Sequence, residues 1–140
     1  MIEDEILHLN DVLLTAVNHR DWDNVLRYIR NDTVISVSPL GDLRGKTGAD
    51  AVIAYFDTHY DYKFLSWQHV TEGTESATSA VLRMTYLKSV HGLPEATGQV
   101  ADVPVAIFGT WQDGKIMRLR VIMSFVEFIS VVGCPCGSRR

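Results

Sequence analysis

The sequence predicts an α+β domain in which a cone-shaped, curved antiparallel β-sheet wraps around three N-terminal helices. Two observations predict this class. Apolar residues recur at helical spacing up to about residue 60, and beyond it they mostly alternate with polar residues at strand spacing. Helices followed by a meander of long strands are typical of α+β folds. With 140 residues the chain suits one core, so we expect a single domain over residues 1–130 and a tail over residues 131–140.

Three helices are predicted before the sheet. The first covers residues 3–19, where apolar side chains follow the i, i+3, i+4, i+7 rhythm of an amphipathic helix. Asp21 is a good N-cap for a second helix over residues 21–30. A β-branched strand at residues 33–38 follows, and a third helix is predicted at residues 49–59 after a Gly-rich turn.

Four long strands are predicted after the third helix. Asp113 and Gly114 form a hairpin signal before the last of them, where apolar residues from Met117 onward alternate with Arg118 and Arg120. We expect its apolar face to line a pocket between sheet and helices, where small-molecule sites commonly form. The predicted strands cover residues 64–72, 77–89, 99–111 and 115–130.

Composition and charge exclude several classes of function. The net charge of −4 leaves no basic surface for a nucleic-acid partner. No apolar run approaches the roughly 20 residues that span a membrane, and the acidic start is unlike a signal peptide, so a cytoplasmic protein is expected. Cys134 and Cys136 are too few for a structural zinc site, and no phosphate-binding loop is present, so we expect neither metal nor cofactor.

Four stretches of the chain carry a family pattern: NHRDWDNVLRYIRNDTVISVSP, LRGKTGADAVIAYF, SWQHVTEGTESATSAVLRMTYL and FGTWQDGKIMRLRVIMSF. In this order they resemble the nuclear transport factor 2-like superfamily, especially its SnoaL-like branch of small polyketide and terpenoid cyclases and isomerases. The resemblance implies a homodimer that pairs through exposed sheet faces. Ketosteroid isomerases, epoxide hydrolases, scytalone dehydratases and inert ligand binders share the fold, so the fold alone does not decide the function.

The resemblance also indicates where catalytic groups are expected. Epoxide hydrolases and SnoaL-like cyclases carry a pocket aspartate on the last long strand, and the matching position here is Val121. The arginine and aspartate that the hydrolases pair on an earlier strand fall on Arg83 and Thr85. The pocket Gln-His of scytalone dehydratases resembles Gln68 and His69. The chain therefore retains a histidine and an arginine but lacks the usual carboxylates.

His69 and Arg83 are the predicted catalytic residues. Imidazole titrates near neutral pH and can both take and return a proton, although a histidine bonded to a backbone carbonyl explains His69 equally well. A guanidinium facing the pocket could stabilise an enolate oxygen, whereas one facing solvent is an ordinary strand charge. The alternation of side chains along the strand does not decide whether Arg83 faces the pocket or solvent, because both faces of this strand are largely apolar.

Three further residues are possible catalytic groups: Tyr86, Asp61 and His59. A core position for the tyrosine, a solvated turn for the aspartate and a helix C-terminus for the histidine are the simpler explanations. The predicted substrate-binding residues are the aromatic and aliphatic side chains Tyr55, Phe56, Tyr60, Trp67, Phe108, Val121, Met123 and Phe125.

These observations favour a cofactor-independent isomerase or cyclase that acts by general acid–base catalysis. Its expected substrate is a hydrophobic, oxygenated polyketide or terpenoid–polyketide intermediate of secondary metabolism. One alternative is a non-catalytic ligand-binding or dimeric scaffold protein of the same fold. Another is an epoxide hydrolase or dehydratase, which needs a carboxylate from Asp57, Asp61 or Asp102 in the pocket.

Overall fold

The computed structural model describes residues 2–38, 40–124, 128–130 and 133. Its helices precede most of its strands, and the curved, open sheet confirms the predicted α+β class. The elements are α1 (Ile2–Asn18), α2 (Trp22–Leu26), β1 (Ile29–Val37), β2 (Gly41–Arg44), α3 (Gly45–His59), β3 (Tyr60–Glu72), β4 (Glu75–Tyr86), β5 (Val100–Gln112) and β6 (Lys115–Met123).

The strands form one sheet in the order β2-β1-β6-β5-β4-β3. Strands β3 to β6 are an antiparallel meander, as predicted. Strand β1 departs from the prediction because it pairs parallel with β6, while β2 extends the edge antiparallel to β1. The sheet is thus antiparallel except at the place where a strand from the helical part of the chain joins it.

Several predicted boundaries are wrong: β1, α3 and β3 each begin four residues earlier than predicted. The errors at the ends of α2 and β6 have identifiable reasons. Helix α2 ends at Leu26, since Ile29 is buried in the sheet opposite Ile116. Strand β6 ends at Met123, and residues 128–130 are helical. The buried ring of Phe128 packs edge-on against the rings of Tyr60 and Tyr86, which turns this apolar segment back onto the core.

A β-bulge in β3 decides which of its side chains face the helices. Phe64 pairs with Leu82, but Ser66 pairs with Val81, so Leu65 is an extra residue between them. An inserted residue moves every following side chain to the other face. Tyr60, Tyr62 and Phe64 point inward before the bulge, and Trp67, His69 and Thr71 point inward after it.

The core fills the space between the inner face of the sheet and the helices. On β4 the even-numbered residues from Ser76 to Tyr86 are buried, and Leu82 and Met84 are among them. Helix α1 contributes Ile6 and Leu14. None of the helices in the described ranges is long and apolar enough to cross a membrane.

Two glycines, one at the start of β2 and one at the start of α3, allow a test of backbone geometry. Gly41 and Gly45 both have left-handed backbones, with φ of +80° and +65°. A Cβ at Gly41 would meet open space, whereas one at Gly45 would lie 2.8 Å from the carbonyl oxygen of Asn31. We expect Gly41→Ala to lower the free energy of unfolding by about 1 kcal/mol, and Gly45→Ala to lower it clearly more. Urea denaturation measures both, and equal losses would contradict the steric argument.

Candidate functional site

A cavity of about 200 Å³ lies between the inner face of the sheet and the helices. Its wall is mostly hydrocarbon, and Asn10, Tyr62 and Thr78 are among the few lining residues with a polar side-chain group. The described residues of the wall are Asn10, Leu13, Leu14, Val17, Trp22, Val25, Ile29, Ile35, Val37, Ala49, Val52, Ile53, Phe56, Tyr62, Phe64, Thr78, Leu82, Val105, Ile107, Ile116, Leu119, Val121 and Met123.

Three of the predicted substrate-binding residues, Phe56, Val121 and Met123, line this cavity. Tyr55, Tyr60 and Trp67 belong to the adjoining core and do not reach the wall. Phe125 lies outside the described residues.

Phe108 lies on the outer face of the sheet, contrary to the prediction that it binds the substrate in the cavity. The residue is 43% exposed and lies between the outward positions Ala77 and Arg120 of the neighbouring strands. The inward residues of β5 are the odd-numbered ones, Val103, Val105 and Ile107.

His69 lies on the inner face behind the cavity wall, with a side chain that is only 6% exposed. Its Nδ1 is 2.7 Å from Oγ1 of Thr78, directly opposite on β4. Its Nε2 is 2.9 Å from Oδ1 of Asp11 on α1, and the same oxygen accepts a hydrogen bond from Trp67 Nε1 at 2.8 Å. Thr78 itself lines the cavity, whereas His69 does not, so Thr78 is the member of this pair that borders the cavity.

The bonding partners of His69 define its tautomer. An ionised carboxylate only accepts hydrogen bonds, so Nε2 carries a proton and donates it to Asp11. In the neutral ring Nδ1 then accepts, and the Thr78 hydroxyl donates to it. The imidazole of His69 thus accepts a hydrogen bond from the hydroxyl of a wall residue, Thr78, and the carboxylate of Asp11 orients the imidazole. We call Asp11, His69 and Thr78 the relay.

Arg83 does not face the cavity, contrary to the sequence prediction. It lies on the outer face opposite Asp102, where its side chain is 51% exposed. Its Nε and Nη2 donate to the two carboxylate oxygens of Asp102 at 2.8 and 3.0 Å. These hydrogen bonds lower the pKa of the Asp102 carboxyl. Arg83 is thus an ordinary solvent-facing charge on a strand, which was the alternative that the sequence left open.

The three possible catalytic residues also lie away from the cavity wall. Tyr86 is fully buried, donates its hydroxyl proton to the carbonyl of Pro94 at 2.7 Å and accepts from the Val90 N–H, which fixes the loop after β4. Asp61 is exposed and pairs with Arg20 at 3.2 Å. His59 Nδ1 lies 3.0 Å from the carbonyl oxygen of Lys88. Each has a structural partner, and none lines the cavity.

Tyr62 lines the cavity and was not predicted from the sequence. Its hydroxyl donates to Asp57 Oδ1 at 2.6 Å, and the guanidinium of Arg20 lies over its ring. Burial, together with the Asp57 hydrogen bond, raises the pKa of Tyr62 and keeps the phenol neutral. The sequence signal for Tyr62 was its spacing of two residues from both Tyr60 and Phe64, because side chains at this spacing in a strand point to the same face.

Asn10 is the second residue that the prediction missed. It is only 7% exposed and its Nδ2 donates to the carbonyl oxygen of Ile6 at 3.0 Å, within α1. The signal for Asn10 was an amide on the apolar face of a helix, four residues after Ile6.

Within the described ranges, no three His, Cys, Asp or Glu side chains come together in a group that could hold a metal ion. Cys134 and Cys136 lie outside those ranges.

Comparisons with known proteins agree with this architecture. The sequence model of the family described as SnoaL-like domain matches residues 12–119. A proposed polyketide cyclase from Xanthomonas campestris superposes with a TM-score of 0.88 at 22% identity, covering 94% of this chain and 98% of the other. A second, from Silicibacter sp. TM1040, has a TM-score of 0.83 at 26% identity, covering 90% and 96%. No curated sequence matches the chain significantly.

An epoxide hydrolase from Mycobacterium tuberculosis shares the fold at greater distance. It superposes with a TM-score of 0.70 at 14% identity, covering 94% of this chain and 92% of the other. At this identity the similarity concerns the fold alone.

The raised pKa of Tyr62 predicts how the stability of the protein depends on pH. A tyrosine in the unfolded chain ionises near pH 10, whereas the folded-state pKa of Tyr62 is raised. Its contribution to stability is therefore complete below about pH 10 and is lost as the pH rises further. We expect the melting temperature of Tyr62→Phe to fall less between about pH 9 and pH 11 than that of the parent. Parallel curves from thermal denaturation would contradict this assignment.

Proposed function

The chain belongs to the SnoaL-like domain family, and from this membership we propose that it is a cofactor-independent isomerase or cyclase. Its substrate would be a hydrophobic, oxygenated natural-product intermediate held in the cavity. The largely hydrocarbon wall supports binding by burial, and a few polar atoms on it would orient the bound molecule. The structures named as proposed polyketide cyclases support the same class of reaction.

The observation that carries the proposal is the hydrogen bond between His69 and Thr78. Thr78 lines the cavity, and Nδ1 of His69 lies 2.7 Å behind its hydroxyl oxygen. As a substrate carbon next to a carbonyl loses its proton to Thr78 Oγ1, the Thr78 proton passes to Nδ1. The carboxylate of Asp11 then stabilises the imidazolium from the other side of the ring.

Return of the proton completes either reaction. Isomerisation results when the relay delivers the proton to a different carbon of the enolate. Cyclisation results when the enolate carbon attacks a second carbonyl of the same molecule and the relay protonates the new alkoxide. General acid–base catalysis of this kind accelerates a reaction by about 10²–10⁴-fold, and holding one folded conformer of the substrate adds to it.

With Arg83 on the outer face, Tyr62 is our candidate for stabilising the enolate oxygen. It is a neutral phenol at the wall, since its pKa is raised by burial and by the Asp57 hydrogen bond. Rotating its O–H from Asp57 toward a substrate oxygen would place a hydrogen-bond donor where negative charge develops.

The alternatives differ in how much support they have. A non-catalytic ligand-binding protein is supported by Val121, which puts a hydrocarbon where related enzymes carry an acid. Hydrolysis of epoxides or dehydration has less support, because no carboxylate is among the described residues of the cavity wall. Turnover separates the first alternative from the main proposal.

Proton transfer by His69 can be tested with 2-tetralone, a two-ring ketone with acidic α-hydrogens. We expect the protein to speed deuterium incorporation from D₂O, measured by NMR. His69→Gln should lower the maximal rate by about 10²–10⁴-fold while the Kd for 2-tetralone stays within about threefold, because the amide fills similar space and the wall is unchanged.

A matched control is His19→Gln, since His19 is exposed in the turn after α1 and does not line the cavity, and its Nδ1 lies 2.9 Å from the backbone oxygen of Thr15. This variant should exchange like the parent. If the parent itself binds 2-tetralone and its exchange rate equals that of buffer, the binding-protein alternative replaces the enzyme.

We also propose a homodimer that pairs through the outer face of the sheet. Phe108 and Ile122 are exposed there, at 43% and 41%, on adjacent strands. Large apolar side chains on a solvent-facing sheet are typical of interfaces.

Light scattering during gel filtration should give twice the chain mass for the parent. Phe108→Lys should shift it to the monomer, because an added charge would be buried at the interface beside the like charge of Arg120, which pairs with residue 108 across the strands. Leu87→Lys, which changes an exposed residue beyond β4, is the control that should remain dimeric. A monomeric parent at micromolar concentration would contradict the proposal.

A further inference from the structure

We propose that the cavity selects neutral one-ring or two-ring molecules that carry a hydroxyl group, and that Asn10 recognises this hydroxyl. The inference rests on the proposed function in taking the cavity as the substrate site. It goes further by naming the class of substrate and the residue that recognises the substrate hydroxyl.

The carboxamide oxygen of Asn10 is the observation that points to a ligand. Asn10 lines the cavity and is 7% exposed, and the one side-chain bond that the described residues give it runs from Nδ2 to the carbonyl oxygen of Ile6. No described residue donates to Oδ1. Among the described residues, no side-chain polar atom sealed from solvent lacks a partner, so the unpaired Oδ1 keeps some accessible surface. Because Asn10 is a wall residue, we infer that this surface faces the cavity.

The bond to Ile6 also fixes which way the amide points. A backbone carbonyl accepts only, so the atom facing it is the nitrogen and the atom facing the cavity is the oxygen. An oxygen acceptor in a hydrocarbon wall is satisfied by a donor on the bound molecule. A hydroxyl is that donor on a neutral compound, whereas an ammonium group needs a counter-charge, and no carboxylate is among the described wall residues.

Asn10 is connected to the proposed relay through the chain itself. The next residue, Asp11, reaches His69 at 2.9 Å, and His69 reaches Thr78 at 2.7 Å. Asn10 and Thr78 are both on the wall, so a ring whose hydroxyl is held by Asn10 is oriented with respect to the group that exchanges protons.

The size of the cavity limits the skeleton. A cavity of about 150 Å³ holds benzene, and the cavity here measures about 200 Å³. One substituted ring, or two fused rings, fills such a space, while three or four fused rings exceed it. The described wall carries no charged side chain, which disfavours carboxylates and ammonium groups alike.

Thymol and p-cymene provide the test, because they share one skeleton and differ only by a hydroxyl. By isothermal titration calorimetry we expect thymol to bind the parent about tenfold more tightly than p-cymene. In Asn10→Leu, which keeps the shape of the side chain, we expect this ratio to fall to about one, with p-cymene binding at least as tightly as before. Leu13→Met, a change elsewhere on the wall, should keep the tenfold ratio.

Each outcome decides a separate statement. Equal binding of thymol and p-cymene to the parent would overturn the assignment of Asn10, and this comparison needs no variant to fold. Equal or tighter binding of the three-ring 1,8-dihydroxyanthrone would overturn the size limit. Discrimination by the parent without any deuterium exchange into 2-tetralone would uphold this inference and refute the proposed enzyme, so the two failures are distinguishable.

Discussion

The carboxamide of Asn18 holds the backbone of Phe64 at the β-bulge, and the direction of every later side chain on β3 depends on this bulge. Asn18 Nδ2 donates to the Phe64 carbonyl oxygen at 2.9 Å, and Oδ1 accepts from the Phe64 N–H at 2.8 Å. These bonds satisfy backbone groups on the outer edge of the sheet, beside the inserted Leu65. If residues 60–72 formed a regular strand with no bulge, the alternation that begins at Tyr60 would turn Val70 toward the helices and His69 toward solvent.

Helix α1 protects the edge strand β3 with polar side chains, and the same arrangement assembles the relay. Glu3, Asp11 and Asn18 are spaced seven or eight residues apart, which places them on one side of a helix. Exposed sheet edges favour unwanted pairing unless something covers them. Asp11 therefore serves both the docking of α1 and the orientation of His69. The contacts run from Glu3 to the Gly73 N–H, from Asp11 to Trp67 and His69, and from Asn18 to Phe64.

The sequence predicts the fold better than the site for a physical reason. Periodicity identifies α1, the four strands of the meander and the cavity positions of Val121 and Met123, because each depends on local alternation. The direction of Arg83 depends on which face of β4 meets the helices, and apolar residues occur on both. The bulge and the contact between Asp11 and His69 join segments that are distant in the chain, so no local pattern reveals them.

Stability alone accounts for some of the polar groups in this site but not for others. The hydrogen bonds from His69 and Trp67 to Asp11 fasten a helix to a sheet edge, which is sufficient reason for a structural protein to keep them. The Thr78 hydroxyl belongs to the same network, since it is the partner of His69 Nδ1. Asn10 is different, because its carboxamide oxygen has no partner among the described residues and stands on a wall that hydrocarbon would fill with less desolvation. The carboxamide of Asn10, rather than the buried histidine alone, is thus the stronger argument that this cavity binds an oxygenated compound.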